Sequence, residues 1–156
     1  MIFSETGRCA MSIPPRLKPE SGSGQSFRHS TGRNARILIV EDDYLVGTFT
    51  EATLLEAGHD IIGLVTTGEE AVLQGTLSWP DLVLMDIRLA GQMTGIEAAV
   101  ELRAQGIPTL FASAHSDPGT RVSGDEAKPE GWLAKPYSAS EVVSAVEIAI
   151  ARLRRH

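Results

Sequence analysis

The side chains best suited to chemistry in this 156-residue sequence fall in four short groups: Glu41-Asp42-Asp43, Asp86, Ser113 and Lys135. Each group directly follows a short apolar run. Taken singly, each has an ordinary reading. An acid after a strand caps the next helix, as expected for Asp43. A serine there makes a turn, and a lysine on a loop is solvated. Taken together they point elsewhere. Glu41, Asp42 and Asp86, if packed together, repel one another, and their pKa values rise unless a cation is present. A hard divalent cation such as Mg2+ takes oxygen ligands and keeps several waters, so two or three carboxylates suit it. Lys135 is then free to pair with an incoming anion.

The elements needed to gather these groups are legible. Arg36-Ile37-Leu38-Ile39-Val40 is apolar and β-branched, as is the run from Asp60 to Val65; Asp81-Leu82-Val83-Leu84-Met85, Thr109-Leu110-Phe111-Ala112 and Trp132-Leu133-Ala134 complete a set of five. Continuous apolar runs of this length predict strands buried on both faces of a parallel sheet. Helical stretches separate them. From Tyr44 to Ala57, Leu45, Phe49, Ala52 and Glu56 share a face with Thr48 and Leu55 beside it, and Gly58 is the stop. Thr67-Gly68-Glu69-Glu70 has the spacing of a capping box and opens a helix that Trp79-Pro80 breaks. A helix from about Ile96 to Ala104 is closed by Gly106. Ser138 or Ser140 caps a last helix carrying Val142, Val143, Val146, Ile150 and Leu153. The stretch 117–128 holds Pro118, Gly119 and Gly124, so any fourth helix there is expected to be short or mobile. Strand–helix alternation repeated five times predicts an α/β, doubly wound open sheet with helices on both faces. Ligand sites in such sheets lie beyond the carboxyl ends of the strands, where all four groups stand.

Composition narrows the class. The formal net charge of −6 divides into +4 over residues 1–36, −13 over 37–151 and +3 over the last five. A body so acidic is a poor nucleic-acid surface. Cys9 is the single cysteine, which excludes an internal disulfide. No apolar stretch approaches the roughly 18 to 20 residues that span a membrane, and the expectation is a soluble cytoplasmic protein. Residues 1–34 form a basic leader rich in Pro, Gly and Ser, without apolar periodicity, expected to be disordered; the folded domain is expected at 35–156.

The combination resembles the receiver domain of bacterial two-component response regulators. The matching residues are Ile39-Val40-Glu41-Asp42-Asp43, Leu82-Val83-Leu84-Met85-Asp86-Ile87-Arg88-Leu89, Phe111-Ala112-Ser113-Ala114 and Trp132-Leu133-Ala134-Lys135-Pro136-Tyr137. The resemblance implies a flavodoxin-like five-stranded sheet in the order 2-1-3-4-5. It implies Asp86 as phosphoacceptor, taking a phosphoryl group from a histidine kinase or a histidine phosphotransfer protein. Mg2+ (or Mn2+) would be held by Glu41, Asp42, Asp86 and the backbone carbonyl of Arg88. Lys135 would pair with one phosphoryl oxygen and Ser113 would hydrogen-bond another. Ser113 and Trp132 stand at the family's switch positions, and Arg88 and His115 at positions that influence how long the phosphate survives. The Lys135-Pro136 bond is often cis in the family.

The sequence departs from the common pattern after Asp86, where Ala90 replaces the usual Pro and the loop is one residue longer. No effector segment follows the last helix, so the resemblance implies a stand-alone receiver: a signalling domain that gains and loses its own phosphate, not a metabolic enzyme. Its output would be contact with a downstream protein or phosphate traffic, and receivers often pair as homodimers through their fourth and fifth helical faces. A pseudo-receiver, binding proteins without phosphate, is the alternative; the intact set Glu41, Asp42, Asp86, Ser113 and Lys135 argues against it. A phosphatase of the haloacid dehalogenase class would place a second Asp where Arg88 stands.

Overall fold

A computed structural model describes residues 34–114 and 118–156. The leader up to residue 33, the start of the 117–128 stretch and His115 lie outside the described residues. The strands are β1 (Arg36–Val40), β2 (Asp60–Val65), β3 (Leu82–Asp86), β4 (Thr109–Ser113) and β5 (Gly131–Ala134); the helices are α1 (Tyr44–Glu56), α2 (Gly68–Ser78), α3 (Gly95–Ala104), α4 (Pro118–Asp125) and α5 (Ala139–Leu153). All strand pairs are parallel and the sheet order is β2-β1-β3-β4-β5.

Alternation along the three inner strands explains their unbroken apolar runs. Ile37 and Ile39, Leu82 and Leu84, and Leu110 and Ala112 face one layer, with Leu54 of α1 and Val142, Val146, Ala149 and Ile150 of α5. Leu38 and Val40, Val83 and Met85, and Phe111 face the other, with Ala71 of α2 and Ala98, Ala99 and Leu102 of α3. Each inner strand is thus buried on both sides, as crossover helices require.

Helix α1 turns differently from the face its large residues mark. It buries Gly47, Thr50 and Leu54, while Leu45 is 77% exposed and Phe49 44%. Small residues face inward because α1 lies close on the sheet: a Cβ at Gly47 would sit 3.0 Å from Leu64 Cδ1. Helix α2 ends at Trp79, whose φ of 49° is left-handed, ahead of Pro80. Its expected capping box is half made. Thr67 Oγ1 accepts from the Glu70 N–H, but the Glu70 carboxylate receives the N–H of Thr66 rather than that of Thr67. Complete capping boxes open α3 (Thr94 with Glu97) and α5 (Ser138 with Glu141). Helix α4 is eight residues long, matching the expected short element. Among the described residues no helix is long and apolar enough to cross a membrane.

Candidate functional site at the carboxyl edge of the sheet

β1 and β3 are neighbours, so the residue after β1 and the last residue of β3 meet at one end of the sheet. Glu41 and Asp86 are buried there, and Asp42 is exposed at the mouth. Carboxylate oxygens of all three lie within 4.8 Å of one another. Asp43 takes its ordinary role and caps α1, accepting from the N–H groups of Leu45 (2.9 Å) and Val46 (3.1 Å).

Each buried acid is held by a backbone amide on one oxygen and by Lys135 on the other. Glu41 Oε1 accepts from Asp43 N–H at 3.1 Å and Asp86 Oδ1 from Arg88 N–H at 3.1 Å. Lys135 Nζ donates to Glu41 Oε2 and, at 2.8 Å, to Asp86 Oδ2. Lys135 is placed by the end of the sheet: its N–H donates to the Ser113 carbonyl at 2.9 Å, and the Lys135-Pro136 bond is cis. Ser113, the buried last residue of β4, stands in register with Ala134.

The electrostatics are strained. Burial pushes the Glu41 carboxyl above its ordinary range; the neighbouring Asp86 charge pushes the same way, and Lys135 pulls against both. Burial alone would lower Lys135, but hydrogen bonds to Asp86 and Glu41 outweigh it and hold the ammonium above its usual value. Three carboxyl groups share one ammonium in a space a few ångströms wide. All donors are hard oxygens with lone pairs to spare, which fits a small divalent cation and not a soft one.

The loop from β3 to α3 is fixed at both ends. Gly95 N–H donates to the Ile87 carbonyl at 3.0 Å, and a Cβ at Gly95 would lie 1.9 Å from the Asp86 carbonyl oxygen, so only glycine fits. Its middle is held by Glu69, which sequence reasoning placed only within a helix cap. Glu69 Oε1 receives the N–H groups of Gln92 (3.1 Å) and Met93 (3.0 Å). The one sequence signal was an acid in a first helical turn, which says nothing of a partner 23 residues away. Arg88 is exposed beside Asp86.

Trp132 is half-buried, its ring 4.9 Å from that of Phe111 and under the Arg121 guanidinium, 5.1 Å from the centroid. On the other side of Lys135, a largely apolar groove of about 370 Å³ runs between Leu45, Val46 and Phe49 of α1 and Ala114, Pro136 and Tyr137. Tyr137 reaches behind α1 to Thr50, with the hydroxyl oxygens 3.0 Å apart.

Residues 37–147 match the sequence profile of the response regulator receiver domain. The chain is 35% identical over 120 residues to the transcriptional regulatory protein PdtaR of Mycobacterium tuberculosis, covering 76% of this chain and 58% of that protein. It is 32% identical over 116 residues to the phyllosphere-induced regulator PhyR of Methylorubrum extorquens, covering 73% and 43%. The chain therefore spans about half the length of these curated relatives. Among solved structures, the signal receiver domain of a modulated diguanylate cyclase from Desulfovibrio desulfuricans superposes with a TM-score of 0.74 at 33% identity, covering 79% of this chain and 98% of that one.

Proposed function

This chain belongs to the response regulator receiver domain family, and on that premise we propose that Asp86 accepts a phosphoryl group from a phosphohistidine of a histidine kinase or a histidine phosphotransfer protein. The observation that carries the reading is Lys135 held between Glu41 and Asp86 with the Asp42 carboxylate alongside. A carboxylate oxygen of Asp86 attacks phosphorus, the P–N bond breaks, and the departing imidazole nitrogen keeps the electron pair and takes a proton from solvent. The product is an aspartyl phosphate. Lys135, already poised on Asp86, turns to a phosphoryl oxygen, and the Ser113 hydroxyl hydrogen-bonds another.

Glu41, Asp42, Asp86 and the Arg88 carbonyl are the residues that would hold Mg2+ or Mn2+. When bound, that ion would offset the charge gathered on the phosphoryl oxygens. The apolar groove beside Lys135, with Leu45 and Phe49 exposed on its rim, suits the approach of the phosphodonor protein. Phosphorylation adds nearly two negative charges at Asp86. Movement of Ser113 and Lys135 toward them would carry the β4–β5 side with it, including Trp132. Output through a downstream protein or onward phosphate transfer follows from such a switch, with the cytoplasm as its setting. Arg88, exposed next to the acceptor, and His115 are proposed to tune how fast water removes the phosphate; Arg88→Ala would change the half-life of the phosphorylated chain.

Incubation with acetyl phosphate and Mg2+, followed by intact-mass analysis, tests the reading. The wild-type chain should gain one phosphoryl group, lost on chelation of the metal before the reaction, and Asp86→Asn should gain none. Absence of the gain, or its persistence in Asp86→Asn, would overturn the proposal and favour a phosphate-independent binding module.

A further inference from the structure

The loop between β3 and α3 begins at the acceptor position, carries Arg88, and has little of its own to hold it. Arg88, Ala90, Gly91 and Gln92 are exposed, and Gly91, with a φ of 101° that glycine adopts freely, has no side chain to pack. The ends of the loop are held by Arg88 N–H on Asp86 Oδ1 and Gly95 N–H on the Ile87 carbonyl, but its middle is restrained by three consecutive residues at the start of α2. Thr67 forms a parallel bridge with Ala90. Gly68 lies so close to Met93 that a Cβ would stand 2.9 Å from the Met93 carbonyl oxygen. Glu69 receives two successive backbone N–H groups on one carboxylate oxygen, while its other oxygen lies 2.9 Å from where a Cβ would be at Gly91.

We propose that Glu69 is a positioning residue for the metal site: by gripping the amides of Gln92 and Met93 it holds the loop that carries the Arg88 ligand. The inference rests on the proposed function, in which that loop supplies one of the ligands. Several observations support it. The clamp joins residues that the sequence separates by 23 positions, and it acts on the exposed middle of the loop. The carboxylate is charged at neutral pH, since its own backbone N–H, and then those of Met93 and Gln92, hold it below the ordinary range. Charged acceptors make the stronger hydrogen bonds. Groups that orient metal ligands without touching the metal commonly change affinity by tenfold or more when removed.

The test compares wild type, Glu69→Ala and Glu69→Gln as full chains. Glu69 is exposed, so its truncation opens no cavity and both variants should melt near the wild type. Backbone amide exchange, followed by NMR without metal, should accelerate at Gln92 and Met93 in Glu69→Ala and stay unchanged in β3 and α3. Calorimetric titration with Mg2+ should show a Kd raised by about tenfold in Glu69→Ala. Phosphoryl uptake from acetyl phosphate should be restored when Mg2+ is saturating, because the reacting groups are untouched. Glu69→Gln keeps a carbonyl oxygen able to accept both N–H groups but loses the charge, and should fall between the wild type and Glu69→Ala. An unchanged Kd in Glu69→Ala beside a wild type that binds Mg2+ overturns the inference alone, as does equal damage in Glu69→Gln. A wild-type chain that takes up no Mg2+ removes both this inference and the proposed function.

Discussion

Replacing Lys135 by methionine keeps the length of the side chain and removes the cation that bridges Glu41 and Asp86. At an effective dielectric of about 20, unit charges 2.8 Å apart attract by about 6 kcal/mol. Desolvating the ammonium cancels a large part of that, because each buried ion costs several kcal/mol. The net worth of the pair is therefore small, but the cost of breaking it is not. Two buried carboxylates are left facing each other, a situation that costs about 3–5 kcal/mol in comparable sites. The open side at Asp42 lets water in, so about 3 kcal/mol is the figure to expect at pH 8 without divalent metal. The loss must shrink in acid. Glu41 already has a raised pKa in the folded chain, and losing Lys135 raises it further. A carboxyl raised on folding is fully compatible with the fold below its unfolded pKa and costs stability as pH climbs through the folded value. Urea unfolding followed by circular dichroism at pH 8 and pH 5 measures both arms. The midpoint should fall with an unchanged slope at pH 8, and should recover substantially at pH 5 or on adding Mg2+ at pH 8. A variant as stable as wild type at pH 8, or one equally destabilised at both pH values, would refute the electrostatic account of the pocket.

Other positions make independent tests. Gly95→Ala forces a Cβ into the Asp86 carbonyl oxygen and should cost more than about 3 kcal/mol or abolish folding, read from the urea midpoint or soluble yield. Ser138→Ala removes the reciprocal cap of α5 and should cost about 1 kcal/mol in the same assay. His59 is buried, with Ala35 N–H donating to its Nδ1 and no partner for Nε2 among the described residues. Burial lowers its pKa below the ordinary 6.5, so the unfolded chain binds the proton more readily and stability falls as pH drops below that value. His59→Gln should flatten the decline in unfolding free energy between pH 7.5 and 5.5, and an unaltered slope would show that His59 does not cause it.

The inner strands and the residues they carry were legible because strands buried on both faces need unbroken apolar runs, so the first polar residue after each run marks the edge of the sheet; β5, a half-buried edge strand, shows the same boundary over a shorter run. Glu41, Asp86, Ser113 and Lys135 all announce themselves this way, and the structure brings Glu41, Asp86 and Lys135 into direct contact. Helix faces were harder to read. In α1 the inward residues are Gly47, Thr50 and Leu54, because a helix lying close on a sheet rewards small side chains, and hydrophobicity pointed instead to Leu45 and Phe49. The Glu70 carboxylate bonded one residue away from the expected position, a difference set by local backbone geometry that spacing alone does not encode. Glu69 was invisible as a clamp since its partners are main-chain amides, which every residue except proline offers equally.

The ion pairs of Lys135 reach back 94 positions to Glu41 and 49 to Asp86, and the three residues hang from β5, β1 and β3. Parallel neighbours are never joined by a tight turn, so the contacts among these three side chains are all long-range, the kind that slows folding. Because the three residues stand at the ends of three separate strands, the pocket exists only where the whole sheet is formed, and local opening of β1, β3 or β5 takes it apart.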